Sequence, residues 1–191
     1  MRLFVAVSPS EPAVEDLDAF LTPRREAGPE LRWTLPDQWH LTLAFLGETP
    51  QRKLDELSER LTRAATRRSA FTARVEAGGA FPGVARAKVL YADVRSSDPE
   101  ELRRVATGAR AAAAKSGCPV DGGRFRPHLT LGRFARPVDA TRWVRLLDSY
   151  EGPEWPVEEI HLVESHLGQG PRGRPRHETL AVFAFGRRLA P

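Results

Sequence analysis

Two histidines stand in identical four-residue settings: His40-Leu41-Thr42-Leu43 and His128-Leu129-Thr130-Leu131. The chain has only five histidines. An imidazole with an ordinary pKa near ~6.5 can take a proton when neutral and give one when charged. Two of them can therefore serve as a matched base and acid. Threonine hydroxyls donate hydrogen bonds and suit the oxygens of a phosphate. In an in-line displacement at phosphorus the attacking and leaving oxygens lie on opposite sides. A His-Thr pair on each flank of a phosphate could therefore move both protons and hold the non-bridging oxygens. One His-x-Thr alone is more often a surface pair or a satisfied core histidine. Two copies with identical leucines are hard to dismiss in that way.

Both segments read as β-strands. Side chains on a strand alternate faces, so His and Thr share one face of each motif and the two leucines the other. Leu41, Leu43, Leu129 and Leu131 can anchor the strands while the polar faces meet across a cleft. The motifs lie 128 − 40 = 88 residues apart, close to half of the 191-residue chain. That spacing exceeds any solenoid period and suggests two pseudo-equivalent lobes, each presenting one motif strand.

The remaining pattern supplies elements to build those lobes. Strands are expected at 2–7, 31–33, 40–46, 71–77, 87–94, 157–165 and 177–186. The first helix follows Ser10 as N-cap and Pro12, with Pro23 expected to end or disturb it. A second helix is expected from Thr49-Pro50, with Leu54, Leu57 and Leu61 on one face. A third runs from Asp98-Pro99 to Gly117, and a fourth, short one spans "PVDATRWVRLLDSY". The segment "GGAFPG" reads as a turn. Helices and strand pairs mix without a regular βαβ rhythm, which points to an α+β class with largely antiparallel sheets.

Composition narrows the chemistry. The chain is 41% hydrophobic and 28% charged, in the range of folded globular proteins. Cys118 is the single cysteine, which excludes an intrachain disulfide and suits a reducing compartment. No apolar run approaches the length of a signal core or a membrane span, and a cytoplasmic protein that does not engage a membrane is expected. Formal net charge is +4, carried almost entirely by arginine, with lysine only at 53, 88 and 115. Arg124, Arg126, Arg133 and Arg136 surround the second motif, and Arg172, Arg174 and Arg176 alternate in a later loop. Arginine's planar fork matches phosphate. A zinc site is the competing chemistry. Cys118, His161, His166 and His177 could contribute ligands, but none has a zinc-like spacing with the motifs. Phe4, Trp33, Trp39 and Phe125 are candidates for stacking on a nucleobase, with core packing as the alternative.

Taken in order, "MRLFVAV", "RWTLPDQWHLTLAFLGE", "GGAFPG", "RFRPHLTLGRF" and "IHLVESHLGQG" resemble the 2H phosphoesterase superfamily. Within it they resemble the bacterial and archaeal RNA 2′,3′-cyclic phosphodiesterases, formerly called 2′-5′ RNA ligases. The resemblance covers nearly the whole chain. It implies a single bilobal domain over residues 1–191, with two sheets flanked by helices around a central cleft. It implies hydrolysis of an RNA or nucleotide 2′,3′-cyclic phosphate end to a 2′-phosphate without metal or cofactor. By position, His40 would be the general acid and His128 the general base, with Thr42, Thr130 and Arg133 binding phosphate. A monomer is the expectation. Ligation of RNA ends through a 2′-5′ bond at the same site, and binding of RNA ends without turnover, remain alternatives. In an unbroken strand Arg133 would have the opposite parity to His128 and Thr130. It needs a bulge, the strand end or its own reach to meet the same phosphate. The counterpart of Arg133 in the first motif is Phe45, so the repeat is chemically asymmetric there. The segment near His177 departs from the family pattern, since many relatives carry a tyrosine in that region.

Overall fold

The computed structural model describes residues 1–26 and 31–189. In chain order the elements are β1 (Arg2–Val7), α1 (Glu11–Arg25), β2 (Leu31–Trp33), β3 (Leu41–Glu48), α2 (Leu54–Thr66), β4 (Phe71–Phe81), β5 (Ala87–Ser96), α3 (Pro99–Lys115), β6 (His128–Val138), α4 (Thr141–Leu147), β7 (Trp155–Val157), β8 (Glu159–His166) and β9 (Arg176–Ala184). Every strand pairing between them is antiparallel. One sheet has the order β3-β1-β8-β9 and the other β2-β6-β5-β4-β7.

Each sheet therefore carries one motif strand, β3 in the first and β6 in the second. The lobes are not the two halves of the sequence. The first sheet joins β1 and β3 to β8 and β9 from the C-terminal part, and β2 crosses to pair with β6. Helices α2 and α3 pack together and cover the first sheet through β9 and β3, while α1 and α4 lie against β4 of the second. This interleaving welds the lobes: the buried leucines and alanines of both sheets and all four helices form one continuous core. Leu41, Leu43, Leu129 and Leu131 are all at most 1% exposed within it. Truncating any one of them to alanine should cost about 2–5 kcal/mol.

Four local expectations change. Residues 78–81 continue β4 rather than turning. A register shift between Val75 and Gly78, with Ala77 at φ 59°, re-aims the strand there. A Cβ on Gly78 would lie 2.3 Å from the Tyr91 carbonyl oxygen, so glycine permits the close approach of β5. Pro23 does not stop α1, which runs on to Arg25. It falls in the last turn, where Thr22 and Arg24 side chains bond the Asp18 and Phe20 carbonyls. Thr49 does not cap α2. Its hydroxyl donates back to the Leu46 carbonyl, and a 3₁₀ turn over Gln51–Lys53 leads into the helix. The strand expected over 157–165 breaks at Glu158 into β7 and β8, which join different sheets.

Candidate active site

A cleft of about 1260 Å³ opens between the sheets. His40, Thr42, His128, Thr130 and Arg133 all line it, so all five residues picked out by the motifs share one cavity. His128 opens β6, and His40 immediately precedes the first ladder residue of β3 rather than belonging to the strand.

The two imidazoles are held alike. His40 Nδ1 lies 2.6 Å from the Gln38 carbonyl oxygen, and His128 Nδ1 lies 2.7 Å from the Arg126 carbonyl oxygen. In both cases the partner is the residue two positions earlier. A carbonyl only accepts, so each Nδ1 carries a proton and donates it. Nε2 is left as the nitrogen open to a substrate, as a general acid or base requires. Gln38 is itself pinned: its side-chain amide donates to the Pro175 carbonyl and its Oε1 accepts from the Leu35 amide.

The parity of Arg133 is settled by a bulge. Along β6, Tyr91 pairs with Thr130 but Leu90 pairs with Gly132, so Leu131 is an extra residue with no partner on β5. From that point the faces exchange. Leu131 and Gly132 are both buried, and Arg133 turns to the cleft beside His128 and Thr130. The first motif has the same irregularity. Ala6 pairs with Thr42 but Val5 with Ala44, so Leu43 is the extra residue and Phe45 turns to the cleft. The Leu43 carbonyl accepts from Arg110 Nε at 3.2 Å, and the Leu131 carbonyl from the Thr34 amide at 2.8 Å. The repeat thus extends beyond sequence identity to a shared bulge, with Arg133 and Phe45 as its two unlike outcomes.

Aromatic rings hold the histidines from the sides. Phe4 stacks on His40 at 4.5 Å between centroids, and Phe81 and Tyr91 meet His128 edge-on at 5.0 and 5.4 Å. His177 from β9 stands edge-on to His40 at 5.1 Å. Burial and the neighbouring His177 hold His40 down to about 4. Burial also lowers His128, against an upward pull from Asp93. The free site therefore favours two neutral imidazoles, and an arriving anion is what would restore a proton.

Of the stacking candidates, Phe4, Trp33 and Phe125 line the cleft, whereas Trp39 is 4% exposed and belongs to the core. Of the alternative metal ligands, His161 bonds Ser8 and Glu159, and His166 bonds Glu178. Cys118 is buried among core residues. Among the described residues no three His, Cys, Asp or Glu side chains are grouped to hold a metal ion. His177, Phe81 and Tyr91 are cleft or flanking residues that the motifs did not single out, whereas Phe45 entered only as the counterpart of Arg133 with no role of its own. They arrive through β4, β5, β9 and the bulge in β3, and no spacing along one chain announces that convergence.

Comparison with known proteins agrees with this geometry. Residues 8–169 match the 2′-5′ RNA ligase superfamily. The chain is 33% identical to the RNA 2′,3′-cyclic phosphodiesterase of Thermus thermophilus, over 97% of this chain and 90% of that one. The crystal structure of the T. thermophilus protein TT0787 superposes with a TM-score of 0.77 at 30% identity, covering 98% and 99% of the two chains. That of E. coli LigT complexed with 3′-AMP gives 0.75 at 28% identity, covering 96% and 97%. A motif pair carried on two matched bulged strands, a match over most of the length and a common fold make this chain a member of the 2′-5′ RNA ligase superfamily of 2H phosphoesterases.

Proposed function

We propose that this protein is an RNA 2′,3′-cyclic phosphodiesterase that opens a terminal 2′,3′-cyclic phosphate to a 2′-phosphate. The observation that carries the proposal is the pair of imidazoles lining one cleft, each with Nδ1 tied to a backbone carbonyl and Nε2 left for substrate. A binding module has no need of a matched acid and base.

In the proposed reaction, His128 Nε2 takes a proton from water as its oxygen attacks phosphorus. The bond from phosphorus to O3′ breaks, and His40 Nε2 gives its proton to that oxygen. Thr42 and Thr130 donate to the non-bridging oxygens, and Arg133 balances the negative charge that grows there. The products are a 2′-phosphate and a free 3′-hydroxyl. His40 must be charged to act as acid, although it is neutral when the site is empty. The phosphate anion supplies the missing counter-charge, so protonation of His40 accompanies substrate binding. Residues 1–191 act in this proposal as one catalytic domain and as a monomer in the cytoplasm. The interleaved sheets support the single domain, and the lone buried cysteine suits a reducing compartment.

The test is product analysis on an oligonucleotide with a 2′,3′-cyclic phosphate, with and without a partner bearing a 5′-hydroxyl. A 2′-phosphate product in both mixtures is expected. A 2′-5′-joined product as the main outcome would reassign the chain to ligation, in which the 5′-hydroxyl replaces water. Activity in excess EDTA should stay within about two-fold of the untreated enzyme, because protein side chains carry each proton and charge in this scheme. Loss on chelation, restored by one divalent ion, would overturn it.

The phosphate-holding groups should matter less than the histidines. Thr42→Ala and Thr130→Ala each remove roughly one hydrogen bond to a charged group. At about 1.5–3 kcal/mol this lowers kcat/KM by about 10- to 150-fold. Arg133→Ala should fall in the same range, and a fully active variant would remove Arg133 from the scheme.

A further inference from the structure

We propose that Arg2 and Phe45 form a second subsite, which binds the nucleotide on the 5′ side of the cyclic-phosphate end. The proposal rests on the function given above and adds that the preferred substrate is an oligonucleotide rather than a mononucleotide. Arg2 leaves the outer face of Phe45 to take the phosphodiester that links the last two nucleotides, and the preceding base takes its place on that ring.

The geometry is a row of rings leading away from the catalytic histidine. Phe4 stacks on His40 at 4.5 Å and 25°, and Phe45 stacks beyond Phe4 at 6.2 Å and 9°. The Arg2 guanidinium closes the row, 5.2 Å from the Phe45 ring centre. Phe4 is buried within the row, but Phe45 is 37% exposed and lines the cleft. An exposed phenylalanine on a rigid strand beside an arginine is a stacking platform with a counter-charge, the combination used to hold single-stranded nucleic acid.

Arg2 is also free to serve. Among the described residues it makes no ion pair. Glu48, opposite it across the ladder, faces the Met1 amino group at 3.4 Å instead. The adjoining loop is fixed against the same strand. The Asp121 amide donates to the Phe45 carbonyl, and Arg110 bridges the Leu43 and Gly123 carbonyls. Seven arginines line the cleft against one carboxylate, Asp121, more positive charge than a single cyclic phosphate needs. The bulge in β3 supplies the reason for the asymmetry. At the position where β6 turns Arg133 toward the reacting phosphate, β3 turns an apolar ring, so the two flanks of the cleft hold different parts of the substrate.

Two measurements test the subsite. The first is the ratio of kcat/KM for a trinucleotide ending in a 2′,3′-cyclic phosphate to that for the matching mononucleoside 2′,3′-cyclic phosphate. Phe45→Ala should lower this ratio about 10-fold, and Arg2→Gln should lower it similarly. Because both substrates use the same reacting centre, the ratio cancels any general loss of folded enzyme. The second is the affinity for a fluorescein-labelled trinucleotide ending in a 3′-phosphate, read by anisotropy over a range of KCl. Arg2→Gln should reduce the slope of log K against log salt by about 0.7, the contribution of one phosphate contact on a single strand. Phe45→Ala should weaken binding without changing the slope. Unchanged ratios, or weaker binding by Arg2→Gln with the wild-type slope, would overturn the subsite and leave Arg2 as a cover for Phe45. The binding arm needs no turnover. An inactive protein that still shows the slope change would therefore refute the enzyme and support the subsite.

Discussion

Alanine at His40 or at His128 lowers turnover of a cyclic-phosphate end by about 10²–10⁴-fold, the usual worth of one positioned proton-transfer group. A substrate with sulfur in place of the 3′ bridging oxygen then separates the two variants. A thiolate leaves without being protonated, so the acid has no task and His40→Ala recovers most of its lost rate. His128→Ala stays slow, because the attacking water still has to lose a proton. Rescue of His128→Ala instead would exchange the two roles. Equal failure of both on the sulfur substrate would mean that the imidazoles chiefly position the phosphate. The near-identical tethering of both rings through Nδ1 makes this experiment necessary, since the tethers alone do not distinguish acid from base.

The second large effect is on pH dependence. His40 is held at about 4 in the folded protein, against 6.5 for an unperturbed histidine, chiefly by burial and then by His177. Between those values the unfolded chain binds a proton that the folded chain does not. Stability from this group is therefore complete above about pH 6.5 and is lost as pH falls toward 4. The shift corresponds to on the order of 3 kcal/mol. His128 and His177 are also lowered, mainly by burial, and add to the loss in the same direction. Denaturant midpoints measured at pH 7 and pH 4 should show this decline, and His40→Phe should remove much of it. A flat profile would place His40 in a more solvated setting than its burial implies.

A bound phosphate should work against that depression. Near pH 6, binding of a nucleotide 2′-phosphate should draw a proton from solution, measurable as a binding enthalpy that depends on the buffer's ionisation heat. The same shift should appear in kinetics. The alkaline limb of kcat, which reports the bound complex, should lie at higher pH than the alkaline limb of kcat/KM, which reports the free enzyme. The histidines are coupled, so the apparent values belong to the cluster rather than to one ring. Coincident limbs together with no proton uptake would contradict a charge supplied by the substrate.

The sequence by itself determined the family, the candidate acid–base pair and most of the elements. The doubled His-Leu-Thr-Leu carried both a period-two face assignment and a repeat across half the chain. Those two signals led to the candidate catalytic pair, the anchoring leucines and an α+β class. They are legible because they depend on backbone periodicity and residue type, which act locally. Tertiary structure decided how the lobes are assembled. Strands β1, β3, β8 and β9 share a sheet although they come from both ends of the chain, and that pairing leaves no mark in local pattern. It also decided which way Arg133 faces. The bulge at Leu131 is a register shift of β6 against β5, two strands that meet only in the folded sheet. His177 meets His40 only because β9 pairs with β8 at the far side of the same sheet. The depressed pKa of His40 is likewise a tertiary property. It comes chiefly from burial, with Phe4 stacked on the ring, and then from the charge of His177, residues 36 positions before and 137 after it in the chain.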